Sequence, residues 1–443
     1  MNRLDESQLS GLSTRDVQLP RYNRDKLQIR IVHLGIGAFH RAHQALYTEK
    51  LLNKGDLNWG IAGVSLRRPD VRDQLMPQDG LYTSKVVNSD QFSLQVVGAV
   101  RKVLVAPEDP AAVVAQLADP AVVVVTLTIT EKGYLDSSPG SAADYLCRAL
   151  AERMRQGSAG MTIISCDNLS GNGGKLSALV VARAKETDEK LADWIELNCS
   201  FPETMVDRIV PATTDLDRNS IAEALGLRDE AAIVSESFCQ WVIEENFAGP
   251  VPPWNSVGAQ FVENVAPYEL MKLRLLNASH SAIAYLGCLA NCGTVAEAIS
   301  VSALHQFVER LMREEVQPVL EIPENFDVAK YQTELLARFG NTSLHHKTQQ
   351  IAMDGSQKIP QRLLPTLAEQ LDRDGPIDRL VLVLAAWMLY VRGDGINDPL
   401  ADKFLELRSE SDDDIALWME NVLGLTEIFQ PQLAANSRFR DAL

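Results

Sequence analysis

Short apolar runs alternate with helical spacing through the first half of the chain. The run "IRIVHLG" (29–35) reads as a strand ending in glycine, "FHRAHQALYTEKLLNKG" as a helix closed by Gly55, and "NWGIAGVSL" as a second strand. Together they make a βαβ unit. Further strands are expected at 92–100, 121–129, 161–166 and 231–237, with helices at 140–156 and 174–197. Runs so uniformly apolar suit a sheet covered on both faces. The Pro- and Gly-rich stretch "NFAGPVPPWNSVG" (246–258) breaks the pattern. Beyond it, segments 268–288, 294–315, 327–339, 362–373, 377–392 and 399–408 carry helical spacing. The expectation is an α/β chain: a doubly wound sheet over residues 1–265, opening with a polar N-terminal arm, then a mostly α-helical domain over 266–443.

One of those helices contains "KLRLLNASH" (272–280). At about 100° per residue, Lys272, Glu269, His280 and Asn277 project at roughly 0°, 60°, 80° and 140°, so one cleft can receive all four. Leu273, Leu275, Leu276, Ala278, Ile283 and Leu286 surround them, which predicts a largely buried helix whose polar groups need partners or a task.

Composition narrows the partners. The chain has 443 residues, 46% of them apolar, with 42 basic against 59 acidic side chains and a formal charge of −17. That charge disfavours nucleic acid or an anionic membrane as a general partner, and an anionic small substrate would need a local basic pocket. The first 26 residues have no apolar signal core, and the longest apolar run, Leu380 to Val391, is too short for the roughly 20 residues that span a bilayer. It reads as a core helix. Six scattered cysteines suit reduced thiols and a cytoplasmic location. Cys288 and Cys292 lack a matching pair, so packing is expected there and no metal centre.

"HLGIGAFHRAHQ" places Gly35-x-Gly37 between the first strand and its helix, with Ile36, Ala38 and Phe39 around the turn. The first glycine permits a tight turn, and the second lets a pyrophosphate approach backbone N–H groups at a helix start, which points to a Rossmann-like dinucleotide site. A plain strand-to-helix turn has the same look, and His40 stands where the full fingerprint has its third glycine. After the second strand comes "SLRRPD": Asp70 suits the ribose of NAD, Arg67 and Arg68 suit the 2′-phosphate of NADP, and both cofactors stay open. The loops "TLTITEKGYLD" (126–136) and "SCDNLSGNG" (165–173) would fall at the carboxyl ends of strands, where ligands bind. Asn168 and Asn172 there are equally ordinary turn residues. No G-x-S-x-G elbow occurs, and His345-His346-Lys347 lacks a third ligand, so it reads as a basic loop or helix start.

Six blocks, "GIGAFHRAHQALYT", "TITEKGY", "SCDNLSGNG", "MVDRIVP", "KLRLLNASHS" and "MDGSQKIPQRLLP", resemble the long-chain polyol dehydrogenase (mannitol dehydrogenase) family over residues 31 to 365. The resemblance implies an NAD-dependent enzyme, without a metal, in which Lys272 is the acid–base group. Asn277 and Asn168 match the family's oxyanion-stabilising asparagines, and His280 its substrate-orienting histidine. Glu269 matches a glutamate on the proton path and Asp207 a substrate-contacting aspartate. A lysine base needs a lowered pKa, which burial and the positive nicotinamide both favour. Amide donors suit a developing oxyanion. Lys132, Lys358 and Arg362 are similar to the fructuronate reductase branch and suit a hexonate carboxylate. The reaction implied is interconversion of D-fructuronate and D-mannonate by a monomer with no nucleic-acid or membrane partner. The alternatives are a mannitol- or arabinitol-type dehydrogenase and a non-catalytic NAD-binding regulator.

Overall fold

The computed structural model describes residues 1–12, 16–88, 91–324, 326–344 and 346–443. They form two compact units, Met1–Val265 and Ala266–Leu443.

Among its described residues the first unit contains eleven strands: β1 (Ile29–Leu34), β2 (Gly60–Ser65), β3 (Tyr82–Asn88), β4 (Gln91–Val97), β5 (Val100–Val105), β6 (Val124–Leu127), β7 (Thr162–Ser165), β8 (Thr204–Asp207), β9 (Ile233–Glu236), β10 (Gln240–Glu244) and β11 (Gln260–Val262). Five of them make a parallel sheet in the order β5-β2-β1-β6-β7. Numbered among themselves in chain order, these strands run 3-2-1-4-5, the Rossmann pattern, and the order reverses between β1 and β6. Val32, Leu34, Val64, Val125, Leu127 and Ile163 are fully buried within one core cluster, while Ile31, Ile61, Val124 and Ile164 belong to another. This is the two-sided burial that their largely apolar sequences predict, although β1 also carries Arg30 and a buried His33.

Two of the expected strands belong elsewhere. The run 92–100 is not one strand: β4 pairs antiparallel with β3 in a separate three-stranded sheet, and only β5 joins the parallel one. Gly98 makes the corner. Its N–H donates to Glu49 Oε2 at 2.9 Å, its carbonyl accepts from Arg24 Nε at 3.1 Å, and an added Cβ would lie 2.8 Å from that nitrogen. Likewise 231–237 yields β9, which pairs with β3 and not with the main sheet. A third sheet, β11-β10-β8, comes from segments with too few apolar residues in alternation to be read as strands. The helix expected to run from residue 39 to Gly55 is split at His43 into Ala38–Ala42 and Gln44–Asn53.

The N-terminal arm is packed down. Leu4 and Leu12 enter a cluster with Leu81, Leu94, Ile221 and Leu225, and buried Arg24 donates to the Asp79 and Val100 carbonyls and pairs with Glu6 at 2.9 Å.

The second unit is helical throughout its regular elements. The segment 294–315 is divided at Val301, whose backbone is extended, and a capping box of Thr294 and Glu297 starts its first helix. Helix Asp378–Val391 buries Leu380, Val383, Leu384 and Trp387 but exposes Leu382 and Leu389. It is therefore a one-faced helix and not a fully enclosed one. Among the described residues no helix is long and apolar enough to cross a membrane.

Candidate active site

The turn after β1 is fixed by contacts with β2 and with the end of β6. Gly35 has φ +91°, and its N–H and that of Ile36 both donate to the Val64 carbonyl, at 2.9 and 3.2 Å. A Cβ on Gly35 would lie 2.1 Å from the Thr128 carbonyl oxygen. Thr128 Oγ1 donates back to the Gly35 carbonyl at 2.8 Å. Gly37 is different: an added Cβ there meets only the Gly35 carbonyl, at 3.7 Å, so the protein itself leaves that backbone open. Because the Gly35, Ile36 and Gly37 N–H groups are already bonded, the donors facing outward are those of the first helical turn, Ala38 and Phe39. The fit to a dinucleotide pyrophosphate is good. His40, in place of the third glycine, stacks on buried His33 with centroids 3.5 Å apart. Burial holds both imidazoles neutral, that of His33 down to about 3.

Asp70 does not sit at the end of β2. That strand stops at Ser65, and Asp70 is exposed at the start of helix Asp70–Leu75, paired with Arg68 at 3.3 Å. Arg67 is exposed as well.

The two polar loops beyond β6 and β7 are tied together by Asp167, which the sequence reading passed over. Its carboxylate accepts from the N–H groups of Ile129 at 3.0 Å and Thr130 at 2.8 Å and from Tyr134 Oη at 3.0 Å. Thr130 is left-handed, φ +64°, and these bonds hold it so. Burial pushes the Asp167 carboxyl up, against the bonds that favour its charge. Asn172 is an internal bracket: its amide donates to the carbonyls of Asp167 and Thr204, both at 3.0 Å, and its oxygen accepts from Thr204 N–H. Asn168 is exposed on the loop after β7, and Lys132 is exposed on the short helix Thr130–Gly133. Asp207 is buried at the end of β8, in register with Gln240.

In the second unit, Lys272–Asn277 is a π-helical turn between helices Ala266–Met271 and Ala278–Leu289. The N–H of Ala278 reaches back five residues to the Leu273 carbonyl. The sequence reading assumed regular α geometry, and this corrects it. A π turn adds one residue to the helix, so positions beyond it fall back by about 100°. Relative to Lys272, Asn277 then moves from roughly 140° to about 40°, His280 to about −20°, and Glu269 stays at about 60°. The four polar groups crowd onto one narrow face. Lys272 is only 9% exposed. Single π turns of this kind recur at functional sites.

Other side chains fasten that face. Arg274, inside the turn, makes a two-pronged pair with Glu369 at 2.6 and 2.8 Å. Arg362, ending helix Gly355–Arg362, donates Nη1 to the Asn277 carbonyl at 3.3 Å and to Ser281 Oγ at 3.2 Å. Lys358 Nζ donates to the carbonyls of Ile351 and Met353, at 3.2 and 2.6 Å. His280 packs against Phe339 and His346, with centroids 4.7 and 5.7 Å away. Burial, with His346, Arg338 and Arg362 nearby, holds the His280 imidazole well below its ordinary range. The basic pair read at 345–346 is half outside the described residues, since His345 is among those not described. Among the described residues no cluster of three or more His, Cys, Asp or Glu is placed to hold a metal.

The family models described as the mannitol dehydrogenase Rossmann domain and the mannitol dehydrogenase C-terminal domain match residues 29–256 and 264–443, and the chain belongs to the mannitol dehydrogenase family of oxidoreductases. It is 40% identical to the D-mannonate oxidoreductase of Escherichia coli strain K12, over 96% of this chain and 94% of that protein. It is 34% identical to Pseudomonas fluorescens mannitol 2-dehydrogenase, solved as a ternary complex with NAD and D-mannitol, covering 99% of this chain and 95% of that one with a TM-score of 0.83. A substrate-free D-sorbitol dehydrogenase superposes with a TM-score of 0.92 at 30% identity, covering 99% of this chain and 96% of that one.

Proposed function

We propose that this protein is an NAD-dependent reductase interconverting D-fructuronate and D-mannonate, with Lys272 moving the proton. The observation that carries the reading is the π turn that gathers Lys272, Asn277, His280 and Glu269 on one face. When bound, NAD(H) would supply the hydride acceptor or donor. The Gly35–Gly37 turn and the N–H groups of Ala38 and Phe39 would hold its pyrophosphate, and Asp70 would meet its ribose hydroxyls. In reduction of the C5 ketone the Lys272 ammonium gives its proton to the carbonyl oxygen; in oxidation the neutral amine takes the hydroxyl proton. Asn277 and Asn168 donate hydrogen bonds to that oxygen as its charge develops. His280, held neutral by its surroundings, orients a substrate hydroxyl, Asp207 accepts from another, and Glu269 passes the proton between Lys272 and water.

A second reading, a dehydrogenase of a neutral polyol, is favoured by one observation. Two donor sites expected for the substrate carboxylate, Lys358 Nζ and Arg362 Nη1, are already occupied by protein oxygens. Relatives of both kinds match the chain. Initial rates of NADH oxidation with D-fructuronate against D-fructose separate the readings. A kcat/KM ratio favouring D-fructose overturns the first.

A further inference from the structure

We propose that Arg362 is a positioning residue: it locks the π turn that presents Lys272 and Asn277, and so acts on catalysis with any substrate, charged or neutral. The proposal rests on Lys272 and Asn277 doing the proton and oxyanion chemistry.

The π turn passes back into i→i+4 spacing at a junction, Asn277, its last residue and the one before helix Ala278–Leu289. Arg362 delivers a charged donor to the Asn277 carbonyl and with the same nitrogen reaches the hydroxyl of Ser281, a buried residue one turn further along. One guanidinium nitrogen thus spans the last residue of the turn and the first turn of the α-helix. Loss of the π turn returns Asn277 from about 40° to about 140° from Lys272 and so changes how the two side chains can share one oxygen. Arg274 with Glu369 restrains the turn from within its own sequence, but toward a different helix, Leu364–Asp372. It cannot replace a bond at the junction. Arg362 ends a helix whose start is anchored: Asp354 is left-handed, and Ser356 is held to Asp398 through both its N–H and its hydroxyl, at 2.9 and 2.5 Å. That anchor fixes the helix from which Arg362 reaches the turn.

The test compares wild type with Arg362→Met and Arg362→Lys. Turnover is measured with D-mannonate and D-mannitol across pH, and backbone amide exchange is followed by mass spectrometry in peptides covering 272–282. In Arg362→Met, kcat should fall about tenfold or more with both substrates, with an altered pH profile and an unchanged affinity for NADH. Exchange should quicken in those peptides and not elsewhere in the chain, and Arg362→Lys should recover part of both effects. Unchanged D-mannitol turnover and pH profile, with D-mannonate alone impaired, would make Arg362 a carboxylate contact and overturn the proposal. Faster exchange with normal turnover would make it a purely structural group, which also overturns it. If wild type used neither substrate, the functional reading would fail, and the exchange comparison would still decide whether Arg362 holds the turn.

Discussion

Replacing Gly35 and Gly37 by alanine, one at a time, should separate two duties that the glycine turn combines. At Gly35 the backbone has φ +91°, where an L side chain costs on the order of 1–2 kcal/mol. The new methyl would also lie 2.1 Å from the Thr128 carbonyl oxygen and 2.9 Å from its carbon. Those atoms are backbone at the end of β6, so no rotamer change relieves the overlap, and forced overpacking adds roughly 1–3 kcal/mol. Gly35→Ala should therefore lose about 2–5 kcal/mol of stability in sum, because the two costs act at one site without shared relief. At Gly37, φ is −97° and the new methyl meets only the Gly35 carbonyl at 3.7 Å, an ordinary contact. Gly37→Ala should stay within about 0.5 kcal/mol of wild type, as surface changes do, yet lose NADH affinity because the methyl occupies the space left for the pyrophosphate. Urea unfolding followed by far-UV circular dichroism gives the first quantity, and NADH fluorescence titration the second. A Gly35→Ala variant as stable as wild type would refute the steric argument. A Gly37→Ala variant that binds NADH normally would remove the dinucleotide from this turn.

Lys272→Ala should cut turnover by about 10² to 10⁴ while leaving NADH affinity intact; parallel loss of both in the same titration would make the lysine structural. Exhaustive chelation should leave NADH oxidation unchanged, and activity that disappears and returns with added zinc would break the metal-free mechanism. Lys132→Met and Lys358→Met should lower use of D-mannonate relative to D-mannitol in kcat/KM, and an unchanged ratio in both places the carboxylate elsewhere. Stability should respond to pH with two opposed slopes in the first unit. His33 has a folded-state value of about 3 against 6.5, so the unfolded chain binds more protons and stability falls as pH drops from about 6.5 toward 3. Glu49, pushed up to about 7 by burial, binds its proton more tightly when folded, so its contribution falls as pH rises from about 4.5 to 7. Glu49→Gln should remove the second slope and leave the first, as measured by urea midpoints between pH 5 and 7; an unchanged pH dependence would show that Glu49 titrates normally.

The parallel sheet was legible because its strands are enclosed on both faces: β1, β2, β6 and β7 lie in largely apolar runs, and that is a signal independent of neighbours. The side sheets were only partly so: β4 and β9 fall within the strands expected at 92–100 and 231–237, but no local pattern says which sheet each joins, and β8 and β10 lie in no longer apolar run that would mark them. The corner at Gly98 depends on Arg24 and Glu49, side chains 74 and 49 positions away in sequence, which no local pattern reveals. Asp167 was hidden for the same reason. Its role comes from three donors on another loop.

The helix that carries Lys272 shows the limit most sharply. Its residue types predict a polar face open to one cleft, yet α-helical projection leaves Lys272 and Asn277 about 140° apart where the π turn brings them to about 40°. Local propensity does not predict the extra residue of a π turn, which gives up regular hydrogen bonds and must be held by tertiary contacts. Here Arg274 with Glu369 and Arg362 with Asn277 provide them, from partners 95 and 85 residues distant. The spacing of lysine, asparagine and histidine therefore brings these side chains onto one narrow face only in combination with two arginines whose sequence positions carry no sign of the task. It follows that a relative with the same Lys-x4-Asn-x2-His pattern but lacking the residues that hold the turn should keep the fold of this helix and lose the alignment of its polar groups.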